Sequence, residues 1–429
     1  MKNLSPRKVA LILSGGGARG AYEVGVLSYI FSELTRLRGG APKVDILSGT
    51  SVGAINACFL AAHLMDPVLG MRRLVELWTT IEVSKVLGFN LRHAMSLPRM
   101  LLGGGEGTGI FDARPMTDLL HKEISWRSIS RCLRRGHLQA LSVSTTEVAT
   151  GRTVVFMHTA PHLTIPSLAP PRTLFRAARI GPEHALASGA IPLIFPPVKI
   201  DDHLYLDGGL RQNTPIAPAL RLGATHVFAI GSSREMRGPV VNEGKPTSLA
   251  APGLPFLLGK VLNAFLLDHI DHDMELLARL NQVIADGTGA FGPSFGPSLN
   301  EQAMQRGAPG YRYVTPLSVH PSEDIGRLAN DHLKRARLQG GPLLTKRLFS
   351  LLDLGIDNEA DLASYLLFDG PFCRKLIELG RADAHAKRDQ ILDFFGSAED
   401  DPEGEHEDLG GGTGDSGFWE HPSNIPFGT

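Results

Sequence analysis

An α/β architecture, with helices covering the faces of a sheet, follows from one pattern met twice near the start of the chain. A short apolar run, then small residues, then a helically periodic stretch occurs at "KVALILSGGGARGAYEVGVLSYIFSELTRL" and again at "KVDILSGTSVGAINACFLAAHLM". Each reads as strand, tight turn and helix, and successive β-turn-α units build a sheet with helices on its faces. The chain of 429 residues is long enough for one large domain or two ordinary ones, with a sizeable core.

The first strand is Val9–Leu13, five residues that lead straight into glycines. Charges precede it as in a secretory leader, but no small-residue cleavage site comes after it, and a strand is the better reading. The second strand ends at Leu47–Ser48, with its turn over Ser48–Val52. Further strands are expected at "HLQALSVSTTEV" and "TVVFMH", joined through "ATGR", and at "HLYL" and "THVFAI". From about residue 236 the texture changes: "REMRGPVVNEGKPTSLAAPG" reads as a loop, "LPFLLGKVLNAFLLDHIDHDMELLARL" as helix, and "GTGAFGPSFGPS" as a flexible connection. "YRYVTPLSV" can return one strand to the sheet, and residues 342–396 read as several short helices. The acidic, glycine-rich end "SAEDDPEGEHEDLGGGTGDSG" is expected to be disordered.

Composition excludes several functions. Lys+Arg 43 against Asp+Glu 44 offers no field for nucleic acid. The three cysteines, Cys58, Cys132 and Cys373, lie far apart without C-x-x-C spacing, which argues against a disulfide framework or zinc site and for a reducing, cytoplasm-like compartment. No stretch reaches the roughly 18 apolar residues of a spanning helix, so a soluble protein that at most touches a membrane is expected.

The glycine loop admits two chemistries. Gly15-x-Gly17-x-x-Gly20 matches a dinucleotide fingerprint between strand and helix, but that motif also needs an acidic residue ending the second strand to hold a ribose. Here the strand ends in Leu47–Ser48, and Asp45 lies inside it. Directly after that strand comes Gly49-Thr-Ser51-Val-Gly53, a G-x-S-x-G between strand and helix, the arrangement that holds a nucleophilic serine on a strained turn. A serine nucleophile needs a base and an electrophilic cradle, and the adjacent N–H groups of the glycine loop can supply the cradle. No histidine stands out as base: His226 lies in an apolar strand and reads as core, while His269 and His272 lie on an amphipathic helix and read as solvent-facing. Asp207, in "HLYLDGGLRQNTP", ends a short strand before two glycines, although Asp-Gly alone is most often simply a turn.

Taken in order, "GGGARG", "GTSVG" and "DGG" resemble the patatin-like phospholipase family, and "GTGIFDARPMTDLL" and "ALASGAIPLIFPPVKIDDHLYLDGGLRQNTPIAPALRLGATHVFAI" look like its bacterial members. The resemblance covers about residues 8–235. It implies a three-layer sandwich around a mixed, mainly parallel central sheet, with a helical C-terminal extension. It also implies an acyl hydrolase domain over 8–320, the extension over 321–396 and the disordered tail over 397–429. Ser51 matches the family's nucleophile and Asp207 its proton acceptor, a dyad without histidine. Gly15, Gly16, Gly17, Arg19 and Gly20 match the oxyanion loop, with Gly16 and Gly17 as donors and Arg19 shaping it. Gly49 and Gly53 flank the elbow, and Gly208 and Gly209 complete the Asp-Gly motif. The implied activity is cleavage of lipid acyl esters, of phospholipase A or lysophospholipase type, through an acyl-enzyme and with no metal or organic cofactor. A histidine-dependent α/β-hydrolase and a non-catalytic lipid-binding protein are the alternatives. The implied partners are the lipid substrate and a membrane or micelle surface. For that surface contact the sequence offers "LPFLLGKVLNAFLLDHI", where Leu258, Leu262 and Phe265 recur at helical spacing beside Leu254, Leu257, Val261 and Leu266. This helix is expected to be either core or a lid.

Overall fold

A computed structural model describes residues 6–88, 109, 111–167, 169–234, 270–308, 310–338 and 360–396. The segment 254–269 and the tail 397–429 lie outside the described residues, and with them the expected lid helix.

Nine strands form one sheet: β1 Val9–Leu13, β2 Ile46–Thr50, β3 Ala140–Glu147, β4 Thr153–Thr159, β5 Thr173–Ala177, β6 Val198–Ile200, β7 His203–Asp207, β8 His226–Ile230 and β9 Thr315–Val319. Their order is β5-β4-β3-β2-β1-β8-β9, with β7 added to β3 and β6 added to β7. Pairing is parallel from β3 through β2, β1 and β8 to β9, and between β4 and β5. It is antiparallel where β4 and β7 meet β3 and where β6 meets β7. The sheet is therefore mixed and mainly parallel, and β9 is the returning strand in "YRYVTPLSV".

The helices are α1 Gly20–Ser28, α2 Thr35–Arg38, α3 Val52–His63, α4 Pro67–Thr79, α5 Val83–Val86, α6 Arg114–Glu123, α7 Trp126–Arg134, α8 Pro182–Ser188, α9 Ile216–Arg221, α10 Ile270–Phe291, α11 Phe295–Gln305, α12 Ile325–Leu338, α13 Ala360–Leu366, α14 Gly370–Ala386 and α15 Arg388–Phe395. The two faces of β1 separate them into layers. Val9, Leu11 and Leu13 join a core with α1, α3, α4 and α14, whereas Ala10 and Ile12 join one with α9 and α10. Every β1 residue is buried because the strand is central and covered on both sides, which is why its run is continuously apolar.

Three local readings need correction. Residues 287–298 are not a flexible connection but the end of α10 and the start of α11. Gly287 makes room for the Phe295 ring there, since a Cβ at Gly287 would overlap it, and Phe291 stacks on Phe295 at 5.9 Å. Gly287 thus serves packing between the two helices, while Gly292, with φ +82, makes the short turn between them. Asp45 lies just before β2, where its carboxylate accepts the N–H of Val9 at 2.8 Å and the Gln139 amide at 2.9 Å. The expected strands also omitted β5 and β6.

The C-terminal helices pack on the front of the fold. Helix α14 crosses α1 so closely that a Cβ at Gly25 would lie 2.3 Å from the Ile377 carbonyl oxygen, and one at Gly380 2.3 Å from that of Tyr22. Tyr22 donates its hydroxyl to Asp383 at 3.0 Å beside this crossing, and Arg381 donates to Ser28 Oγ at 2.7 Å. A side chain at Gly380 must push the helices apart. Gly380→Val is therefore expected to lower the melting temperature by several degrees, the scale of about 1–3 kcal/mol of overpacking. Thermal unfolding checks this, and an unchanged transition would contradict the crossing.

Candidate active site

Strand β3 brings the site together. Its register with β2 ends at Thr50↔Ser144, and its register with β7 begins one residue later at Asp207↔Thr145. Since β4 occupies the other edge of β3 over the same residues, β2 and β7 share one edge and arrive there from opposite directions. Ser51 leaves the end of β2 where Asp207 ends β7. Their side chains meet, with Ser51 Oγ donating to Asp207 Oδ2 at 2.6 Å.

Ser51 has φ 54 and ψ −129, outside the comfortable range for a residue with a Cβ. Such a conformation costs about 1–3 kcal/mol and persists only where its surroundings impose it. Here they do. The Ser51 N–H donates to Ser188 Oγ at 2.8 Å, and Ser188 in turn donates to the Ser144 carbonyl at 2.7 Å. The Ser51 carbonyl starts α3 by accepting from Ala54 and Ile55 at 3.0 and 3.3 Å. Strand and helix pass so closely that a Cβ at Gly49 would lie 2.5 Å from the Gly53 carbonyl oxygen, and one at Gly53 2.4 Å from that of Leu13. The two elbow glycines are required by this contact.

Asp207 is buried, with 1% of its surface exposed. Its Oδ1 accepts the N–H of Gly209 at 2.7 Å, and its main chain is held by Ala190 at 2.9 Å and by Thr146 Oγ1 at 3.0 Å. Gly208 runs against the Ser144 carbonyl, leaving no space for a side chain. Burial pushes the Asp207 carboxyl up to about 7, against the opposing hydrogen bonds from Ser51 and Gly209. A carboxylate poised there is suited to accepting and returning a proton near neutral pH. Among the described residues no histidine hydrogen-bonds to Ser51 or Asp207. His226 is half-buried, with burial and Arg7 pushing it down to about 4, and His272 is exposed. His269 lies outside the described residues.

The glycine loop sits beside the elbow because β1 and β2 are parallel neighbours, with Leu13 opposite Gly49. Gly15 lies against Ser51 and uses its own N–H on the Asn213 carbonyl at 3.2 Å. Gly16 faces Ser232, and Gly20 lies against Val52. Among the described residues no hydrogen bond engages the N–H of Gly16 or Gly17. Gly17 has φ +55, and a Cβ there would overlap the Tyr365 carbonyl oxygen. Arg19 is buried rather than directed at solvent; its Nε donates to Ser364 at 2.8 Å, and its guanidinium lies 4.0 Å from the centre of the Tyr365 ring.

The eleven residues singled out from the sequence thus lie around one locus, and two of them, Ser51 and Gly17, border an apolar cavity of about 280 Å³. Ile55, Phe59, Leu74, Trp78, Leu120 and Phe195 are among its walls. Sequence reasoning missed Ser188, Asn213, Ser364 and Tyr365. Ser188 lies in "ALASGAIP", where nothing marks one hydroxyl as a support for another strand's turn. Among the described residues no group of three or more His, Cys, Asp or Glu side chains is placed to hold a metal ion.

Comparison with known proteins bears on the segment that carries most of these residues. The family model of patatin-like phospholipases matches over 11–220. Over that segment, just under half of the chain, the sequence is similar to the patatin-like phospholipase family. A cGAMP-activated phospholipase of Pseudomonas aeruginosa is 31% identical over 210 residues, which are 49% of this chain and 55% of that protein. Patatin-like phospholipase domain-containing protein 7 of Rattus norvegicus is 27% identical over 248 residues, 57% of this chain and 15% of that protein. The chain thus spans about half of the first relative and a small part of the second. Among solved structures, human GIVD cytosolic phospholipase A2 in complex with methyl gamma-linolenyl fluorophosphonate matches with 14% identity and a TM-score of 0.41. That match covers 91% of this chain and 58% of the other; the architecture rests on strand order alone.

The raised pKa of Asp207 has a stability consequence with a definite sign. Its folded-state value of about 7 exceeds that of an unfolded aspartate, so the fold prefers the neutral acid. The stability this contributes is whole below about pH 4 and is lost as pH rises through about 7. Asp207→Asn, neutral at every pH, should therefore gain melting temperature relative to the parent between about pH 5 and about pH 8. A difference independent of pH would show that Asp207 titrates normally.

Proposed function

We propose that the chain is a serine acyl hydrolase of lipid esters, of phospholipase A or lysophospholipase type, acting through Ser51 and Asp207. The observation that carries the reading is a serine in a strained turn, 2.6 Å from a buried carboxylate, on the wall of an apolar cavity. In this mechanism Asp207 accepts the Ser51 proton as Oγ bonds to the ester carbonyl carbon. The carbonyl oxygen becomes an oxyanion facing the N–H groups of Gly16 and Gly17. The intermediate collapses by breaking the bond to the alcohol oxygen, which takes the proton from Asp207 and leaves. Water then attacks the acyl-serine while Asp207 accepts its proton, and Ser51 departs reprotonated with release of the fatty acid.

The apolar walls favour an acyl chain, at about 0.8 kcal/mol for each methylene removed from water. The proposed substrates are therefore glycerophospholipids or lysophospholipids, met at a membrane or micelle surface from a cytoplasmic location. No described helix is long and apolar enough to cross a membrane, and the three cysteines are free and buried. On this reading the acyl hydrolase domain runs over 8–320, and the helices beyond it are an extension that supplies Ser364 and Tyr365 to the back of the oxyanion loop.

Two measurements test the proposal. A fluorophosphonate should label the parent protein at Ser51, and Ser51→Ala should lose both labelling and ester hydrolysis by at least about a thousandfold. Labelling at another residue, with hydrolysis intact in the variant, would overturn it. Ile55, one helical turn beyond Ser51, tests the acyl cavity separately. Ile55→Trp should lower hydrolysis of long-chain esters by at least about tenfold while sparing short-chain ones. Equal losses for both chain lengths, with labelling unchanged, would place the acyl chain elsewhere.

A further inference from the structure

A second cavity, of about 240 Å³, lies away from Ser51 between α7, the end of β4 and the segment after β5. Its lining is cationic and polar: Arg134, Ser130, His158, Thr159 and Arg179 contribute, with Leu133 and Pro161, and no carboxylate is among them. Arg134 and Arg179 are exposed, and among the described residues neither pairs with an acid. Ser130 is 94% buried and among the described residues its Oγ has no hydrogen-bond partner, and the same holds for the Nδ1 atom of His158. Buried polar atoms are nearly always satisfied, so two such atoms on residues that line one cationic cavity require an explanation. The surrounding charge is one-sided as well. Helix α7 and the residue after it carry Arg127, Arg131, Arg134 and Arg135 without a single carboxylate.

We propose that this cavity binds a phosphate group, whether of a soluble phosphate compound or of an anionic lipid headgroup. Arg134 and Arg179 supply charge-assisted donors to its oxygens, while Ser130 Oγ and the ring of His158 complete the coordination from below. The electrostatics agree with this assignment. His158 is pushed down to about 4 by burial and then by Arg179, His184 and Arg134. Burial above all, with the neighbouring cations adding to it, thus keeps the ring neutral near pH 7, and a bound phosphate balances the charge of the arginines.

Titration calorimetry of the full chain with inorganic phosphate and pyrophosphate, beside flotation on phosphatidylcholine vesicles with and without phosphatidic acid, tests the site. Arg134→Ala and Arg179→Ala should each weaken binding by at least about tenfold, and Ser130→Ala by less, since charged donors contribute more than a hydroxyl. Both arginines are exposed, so the melting temperature of these two variants should not change. Arginine-dependent binding of the soluble ions assigns the site to a free phosphate compound. Arginine-dependent binding to phosphatidic acid vesicles alone assigns it to a lipid headgroup. Absence of both, or binding unchanged in the doubly substituted protein, would overturn the proposal.

Discussion

Two strands share one edge of β3, and the candidate site exists only because neither fills it. Strand β2 uses that edge up to Ser144, and β7, running the other way, uses it from Thr145 onward. A longer β2 would displace Asp207, and a longer β7 would displace the elbow. The limits of both strands are set by sterics at glycines. Gly49 and Gly53 let the chain turn away at the end of β2, while Gly208 lets it pass over the Ser144 carbonyl at the end of β7. The same carbonyl receives the Ser188 hydroxyl that supports the Ser51 amide. One peptide group of β3 is thus a reference point for both proposed reacting side chains.

Burial decides how such a pair can act. In water a carboxylate is too weak a base to assist a serine near neutral pH, and an imidazole is the usual remedy. Here desolvation raises the carboxyl to about 7, the range an imidazole occupies by nature. The cost is a destabilised anion in the fold, limited by two donated hydrogen bonds, with no cationic side chain among the described residues paired to it. An arginine paired to Asp207 would stabilise the fold and lower its basicity together. The buried Arg19 is turned instead toward Ser364 and Tyr365.

The parts of this arrangement that are local in the chain were legible in the sequence. The glycine loop, the elbow and the Asp-Gly pair each declare themselves through residues that a turn or a close approach demands, and the two β-turn-α units place the first two on neighbouring strands. What joined Asp207 to them was the resemblance, because the register of β7 on β3 depends on contacts between distant segments that no periodicity records. Strand β6 was missed for the same reason: three residues, Val198–Ile200, are too few to carry an alternation and depend on β7 for pairing. The stretch 287–298 misled in the opposite way. Its glycines and prolines signal a break locally, whereas stacking of Phe291 on Phe295 and the space left at Gly287 hold two helices together.

The role of Gly17 shows how far a local reading can be right for a different reason. A glycine in a loop beside a nucleophile suggests that substrate must approach the backbone closely. In the structure the atom that excludes a side chain at Gly17 is the Tyr365 carbonyl, and a φ of +55 reinforces the requirement. The loop is therefore shaped from behind by α13, whose Ser364 and Tyr365 also hold Arg19. Helix α14 fastens the next helix along, α1, through the Gly25 and Gly380 crossing. An oxyanion cradle works only if its donors are fixed before charge develops. Gly16 and Gly17 alone, flanked by other small residues, would lack that rigidity, and helices from the far end of the chain provide it. The order of the proposed cradle is thus a property of the packed C-terminal helices as much as of the glycine motif that marks it.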